Sequence, residues 1–226
     1  MKFVKKLLHS GVSYGHQKHL VNKKMFPYIS FEKKGIHFIN LFKTIKKLNE
    51  ACIFILEKVK NKQNILFIGT TPGISEVIQT VAQKCRSCYV NYKWLGGLLT
   101  NWSTMHVQIK KFKLLKKNFY LNLKKYTKQK RIKLENYINK LYLKFMGILN
   151  MQKLPDVVII AGYNNELTSI YEAKRKKIPI ISIMDTNCDP TLIDIVIPGN
   201  DDLPSSVKLI LSQLSMTILK HVLPKF

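Results

Sequence analysis

Short, mainly apolar runs that each stop at a turn-forming residue recur along this chain, with helical periodicity between them. Ile65-Leu66-Phe67-Ile68 stops at Gly69, and Val157-Val158-Ile159-Ile160-Ala161 stops at Gly162. Ile178 to Met184 stops at Asp185, and Ile193 to Ile197 at Pro198. Runs without polar alternation are the mark of strands covered on both faces, which occur in parallel sheets. After the first run and Thr70-Thr71-Pro72-Gly73, the residues Ile74, Val77, Ile78, Val81 and Ala82 recur at helical spacing. Glu166 to Lys177 follows the second run as a helix. Thr44 to Lys60 precedes the first with Ile45, Leu48, Cys52, Ile55 and Val59 on one face. A last amphipathic helix spans Ser205 to Val222, with Ser205 or Ser206 as its expected cap. Strands alternating with helices define an α/β fold with a doubly wound, mostly parallel sheet.

One stretch breaks the alternation. Between Ser103 and Asn150 there is no strand signal, no proline and a single acid, Glu135. Met105, Ile109, Phe112 and Phe119, then Leu134, Ile138, Leu141, Phe145 and Leu149, trace the seam of two antiparallel helices joined by a polar turn within Asn118 to Lys130. From Lys110 to Lys144 the stretch carries twelve lysines and Arg131 against that one glutamate. Three parts result: residues 1–102 and 151–226, the two parts of one α/β domain, and 103–150, a basic helical hairpin set between them. The whole chain has 38 Lys and Arg against 13 Asp and Glu, a formal charge of +25 over 226 residues. Such an excess repels itself unless a polyanion neutralises it, and nucleic acid is the first candidate. An A+T-rich genome also enriches lysine, and only Arg86, Arg131 and Arg175 are arginines.

Several chemistries compete for the remaining residues. Cys85-Arg86-Ser87-Cys88 lacks the second pair of a zinc ribbon and lies after a helix, not at its start, so reduced, inert thiols are expected. The loop Gly69 to Gly73 occupies the nucleotide position of an α/β sheet, but lacks the Gly-Lys-Ser/Thr ending and the third glycine of nucleotide motifs. Asp185-Thr186-Asn187-Cys188-Asp189-Pro190 and Pro198-Gly199-Asn200-Asp201-Asp202 gather carboxylates at strand ends. These read as turns and caps, with a Mg²⁺-dependent enzyme on a phosphorylated substrate, built on Asp185, Asp189 and Asp201, as the competing reading. His16 and His19 are further metal-ligand types, with nothing in the sequence to bring them there. Trp94-Leu95-Gly96-Gly97 reads as a tryptophan packed under a tight turn. No run approaches the ~20 residues of a membrane span, and the N-terminal residues read as a short amphipathic helix, not a secretion signal or an import leader.

Taken together, these segments resemble the family of the second protein of the bacterial-type small ribosomal subunit. The likeness is carried by Leu8-His9-Ser10-Gly11-Val12-Ser13-Tyr14-Gly15-His16-Gln17, Asn22 to Ile29, Gly35 to Leu41 with Lys43-Thr44, and Trp94-Leu95-Gly96-Gly97 with Leu99-Thr100-Asn101. Leu154-Pro155-Asp156, Asp185 to Pro190 and Ile197 to Asp202 complete it, in family order from about residue 7 to 215. The resemblance implies a Rossmann-like domain with a protruding helical hairpin, no catalysis, and binding to small-subunit ribosomal RNA between head and body, beside other small-subunit proteins. Bacterial members carry a longer, charge-mixed hairpin and often an acidic tail, whereas this chain ends at Lys225-Phe226. Together with the lysine bias and the lack of a leader, that suggests a plastid copy, with a bacterial cytoplasm as the alternative.

The expected RNA-contacting residues are His16, Gln17, Lys18, Lys23, Lys24, Lys33 and Lys34 near the N-terminus. On the arm they are Lys110, Lys111, Lys113, Lys116, Lys117, Lys124, Lys125, Lys128, Lys130 and Arg131. Lysine acts as a point charge, suited to positioning on phosphates more than to base readout. No cofactor, resident metal, membrane or small-molecule substrate is expected.

Overall fold

The computed structural model describes residues 2–222, with the side chains of Lys124, His221 and Val222 outside that description. A helix, α1 (Lys2–His9), leads into strand β1 (Tyr14–Gln17), then β2 (Ile29–Lys33) and β3 (Ile36–Ile39). These three pair antiparallel in the order β1-β3-β2. Sequence periodicity did not reveal this small sheet, because its strands are only four or five residues long and β1 and β2 have no buried residue.

Helix α2 (Leu41–Lys60) follows at once, three residues earlier than the apolar spacing predicts. The reason is local: the Asn40 side chain accepts from the Phe42 and Lys43 N–H groups, capping the first turn. Then come β4 (Ile65–Ile68), α3 (Ser75–Lys84) and β5 (Cys88–Val90). The hairpin helices α4 (Trp102–Leu121) and α5 (Lys128–Phe145) come next. The chain returns through β6 (Val157–Ile160), α6 (Leu167–Arg175), β7 (Ile180–Met184), β8 (Ile195–Pro198) and α7 (Pro204–Val222). All five strands from β4 to β8 pair parallel, in the order β5-β4-β6-β7-β8. The expected serine caps of α7 do other work: Ser205 donates to the Ser10 carbonyl and Ser206 to that of Asn200.

Alternate residues along each strand divide the core in two. Ile65, Phe67, Val157, Ile159, Ile181 and Ile183 face the layer of α2, α3 and α7. Leu66, Ile68, Val158, Ile160, Ile180 and Met184 face the hairpin and α6. The hairpin seam is as expected, with Met105, Ile109, Phe112, Phe119, Ile138 and Phe145 buried and Leu134, Leu141 and Leu149 packed against them. Its turn is tighter than the expected range, confined to residues between α4 and α5. Gly147 fixes how closely the hairpin's return meets the sheet: a Cβ there would lie 2.1 Å from the Tyr89 carbonyl oxygen.

Candidate nucleic-acid interface

In a parallel sheet of this order, the crevice for a ligand lies beyond the strand C-termini where the winding reverses, between β4 and β6. Here it is closed by the protein itself. Glu166, 1% exposed, accepts from the Thr70 N–H at 2.7 Å and the Thr70 hydroxyl at 2.6 Å. The carboxylate thus takes the backbone donor that a phosphate would need, and burial raises its pKa. A second acid on the same segment, Glu172, organises the glycine turn. Its two oxygens accept from Trp94 Nε1, the N–H groups of Gly97, Leu99 and Thr100, and the Thr100 hydroxyl, at 2.8–3.1 Å. Burial pushes its pKa up, but these donors outweigh it and the net shift is downward. Trp94 is therefore held under the turn, as expected. Sequence reading overlooked both glutamates. The available signal was Glu172 sharing a helical face with Ser169 and Ala173, all buried.

The acidic turns close around the N-terminal strand. Thr186 Oγ1 accepts from the His16 N–H, Asn200 Nδ2 donates to the Tyr14 carbonyl, and a Cβ on Gly15 would stand 2.6 Å from Thr186. His16 Nδ1 lies 3.1 Å from Asp185 Oδ2, and its Nε2 lies 3.3 Å from Asp202 Oδ2. Neither Nδ1 nor Asp185 Oδ2 has another hydrogen-bond partner. Asp185 is the main reason the imidazole pKa is raised, with Asp202 and Asp201 adding to it. Asp201, buried and hydrogen-bonded to the Tyr163 N–H, is pushed up to about 7 by burial and by Asp185 and Asp202. Sequence reasoning found no reason for His16 to meet these acids; the fold supplies one by seating β1 across the ends of β7 and β8. Among the described residues, His16, Asp185 and Asp202 are the one group of three such side chains that could hold a metal, with donor atoms within 4.8 Å of one another. One nitrogen and two oxygens suit a borderline cation such as zinc. The same three groups are also matched as an imidazolium between two carboxylates. Asp189 does not join them: it caps its own turn through Thr191 and pairs with Lys24 at 2.8 Å.

The remaining predicted residues lie outside this cluster. Both ring nitrogens of His16 face carboxylates or Asn187, so no free nitrogen remains for RNA. Gln17 is exposed and makes no capping hydrogen bond. Lys18 pairs with Glu32 at 3.1 Å, while Lys23, Lys33 and Lys34 are exposed without an ion pair among the described residues. On the arm, Lys110, Lys111, Lys113, Lys117, Lys125, Lys128, Lys130 and Arg131 are exposed. Lys116 lies over the Tyr142 ring at 4.4 Å and Lys130 over Tyr126 at 5.5 Å. The Lys124 side chain lies outside the described residues. Among those described, no arm cation has an acidic partner. All four cysteines are free; burial raises the thiol of Cys85 to about 11 and pushes up that of Cys88. Among the described residues no helix is long and apolar enough to cross a membrane.

The structure is thus a doubly wound α/β domain with its ligand crevice occupied by Glu166, joined to a basic hairpin whose cations form no ion pair among the described residues. The family profile described as Ribosomal protein S2 matches residues 7–221, and the chain belongs to that family. It is a ribosomal protein and not an enzyme. It is 43% identical over 215 residues to the small ribosomal subunit protein uS2c of Guillardia theta, covering 94% of this chain and 91% of the relative. It is 44% identical over 217 residues to that of Trieres chinensis, covering 94% and 93%. With that of Cyanidioschyzon merolae the identity is 39% over 220 residues, covering 97% and 98%.

Proposed function

We propose that this protein is a structural constituent of the small ribosomal subunit of a plastid, binding small-subunit ribosomal RNA between head and body and packing beside neighbouring small-subunit proteins. The relatives' shared designation, uS2c, supports the plastid setting expected from the lysine-rich composition. The observation that carries the RNA reading is the arm: twelve lysines and Arg131 against one acid, with no ion pair to any of these cations among the described residues. Each phosphate neutralised there releases counterions, which supplies affinity without sequence readout. Lys23, Lys33 and Lys34 extend the surface at the N-terminal sheet. His16 acts indirectly in this reading, by holding β1 against the acidic turns.

Sedimentation of a native extract through sucrose, with quantitative proteomics of each fraction, tests the assignment. The protein should co-sediment stoichiometrically with small subunits; its absence from that peak refutes the reading. In vitro, replacing Lys110, Lys111 and Lys113 with glutamine should weaken binding to small-subunit RNA. The slope of log affinity against log salt should fall by about two to three in magnitude, close to one for each phosphate no longer neutralised. An unchanged slope would clear these lysines of any role at phosphate.

A further inference from the structure

Beside the buried seam of the hairpin, α4 and α5 part on one face to leave an open groove of about 380 Å³. Lys111 and Leu115 on α4 and Tyr137, Leu141 and Phe145 on α5 line it, with Phe112 at its base. The spacing explains the shape, since residues four apart form a row along one side of a helix. The rings of Phe112 and Phe145 lie 5.7 Å apart, and both are buried. Tyr137 is 54% exposed, which leaves much of its ring free at the groove wall. Single exposed aromatics are ordinary on protein surfaces. This one lies in a concave, aromatic-lined site whose surroundings carry one sign of charge. Lys133, Lys140 and Lys144 lie one helical turn from its α5 wall, and Glu135 is the only acid of the stretch.

We propose that this groove takes an unpaired base of the bound RNA, so that the arm selects a bulged or looped segment as well as backbone charge. The inference rests on the RNA-binding reading above. A base seated against the Tyr137 ring would meet Phe112 and Phe145 below it. The phosphates on either side would fall within reach of Lys111 and Lys140. Aromatic platforms set in a basic track are how proteins hold single-stranded nucleic acid, because every base offers a π-face. An acidic amphipathic helix would also find charge complementarity here. The volume, at the small end of ligand pockets, suits one flat ring better than a row of helix anchors.

The test uses the full chain and three fluorescent probes: single-stranded oligoadenylate, an abasic ribose-phosphate oligomer of equal length, and an RNA duplex. The protein should bind oligoadenylate about five- to a hundredfold more tightly than the abasic oligomer, the range one stacked base contributes. Tyr137→Leu should abolish that preference while leaving the salt slope intact, and Tyr137→Phe should retain it. The glutamine variants of Lys110 and Lys113 should do the reverse, lowering the slope and keeping the preference. Equal affinity for oligoadenylate and the abasic oligomer would overturn the proposal, as would a Tyr137→Leu protein that keeps the preference. An acidic amphipathic peptide that occupies the groove while oligoadenylate does not would overturn it in favour of a protein partner. Absence of salt-dependent binding to any probe is a different failure, because it removes the RNA-binding reading and this proposal with it.

Discussion

Glu172 and Lys111 each carry a full charge on a helix packed against the same face of the sheet, yet their surroundings differ completely. Glu172 is 8% exposed and accepts five hydrogen bonds from one turn. Lys111 is exposed and has no acidic partner among the described residues. The contrast extends to the regions around them. At the C-terminal edge of the sheet, carboxylates replace a ligand and hold loops, so their charge is used up inside the molecule. On the arm, the described cations have no ion pair and raise the self-repulsion of the fold. Charge satisfied within a protein is architecture; charge left unsatisfied on its surface is available for a partner.

If that distinction holds, removing a carboxylate from the sheet edge should unfold the protein more readily than any change on the arm. The largest effect is expected for Glu172→Ala. It strands the Trp94 indole N–H, three backbone N–H groups and the Thr100 hydroxyl in a largely buried turn, and should cost about 3–5 kcal/mol in urea unfolding. Glu172→Gln should cost less, because its amide oxygen can still accept part of the set. A loss under ~1 kcal/mol for Glu172→Ala would mean that the turn finds other partners and is not built on this acid.

Next in size is the pH response of the His16 cluster. Asp201 is held at about 7, far above its ordinary 3.8, and His16 lies above its ordinary 6.5. Raised values in the folded state mean that it holds these protons more tightly than the unfolded chain does. Their stabilising contribution is therefore full below the unfolded values and is lost as pH rises through the folded ones. The thermal midpoint should fall from about pH 4 to about pH 7 as the Asp201 contribution is lost, and go on falling above 6.5 as His16 gives up its proton. Amides of β1 should exchange faster at the upper end. Asp201→Asn, which keeps an acceptor for the Tyr163 N–H, should flatten the Asp201 part of that fall. Stability that rises across this range would break the assignment.

The sheet was legible in the sequence because Ile65 to Ile68 and Val157 to Ile160 are buried on both faces, and such strands show themselves as unbroken apolar runs. The hairpin was legible because Met105, Ile109 and Phe112 repeat at helical spacing on a charged background. What stayed hidden depends on residues distant in sequence. Strands β1 to β3 are only four or five residues long, and β1 and β2 bury none of theirs, so the alternation of His37 and Ile39 in β3 is too short a signal to mark the sheet. His16 meets Asp185 across 169 positions only because β1 crosses the ends of β7 and β8. Glu166 and Glu172 looked like ordinary polar positions on an amphipathic helix; their meaning lies in Thr70 and the Trp94 turn, on other segments. The groove of Tyr137 was hidden for a similar reason: its two rows lie on different helices, and the register of the hairpin brings them together.

Lys24 and Asp189 occupy the middle ground between the two regions, a basic residue of the predicted RNA surface paired with an acid of the turns. The Lys24 ammonium is the main reason the Asp189 pKa falls to about 2, with Thr191 assisting. A depressed value contributes stability above the unfolded pKa that is lost as pH falls through the folded one, here between about 4 and 2. Both groups are substantially exposed, so the pair is screened and Lys24→Gln should cost no more than about 0.2–1 kcal/mol. A double-mutant cycle with Asp189→Asn measures it. Coupling well above ~1 kcal/mol would place Lys24 with the architecture and remove it from the RNA surface.

The smallest expected change in stability is the most informative about the arm. Lys110 and Lys113 are three apart on α4, and Lys113 and Lys117 four apart, so each pair repels across one helical turn. Relieving such a pair is worth about 0.2–0.5 kcal/mol, and no ion pair among the described residues is given up in exchange. Lys110→Gln and Lys113→Gln should therefore each leave urea stability within about 0.5 kcal/mol of the parent, with the sign toward greater stability. Lys111 has no lysine three or four residues away, so Lys111→Gln should stay within the same bound with no set sign. Added salt should stabilise the parent more than the triple variant, since it screens a repulsion the variant lacks. A clear loss of stability in the triple variant would show that these lysines have partners within the fold, and the arm would then belong with the sheet edge as architecture.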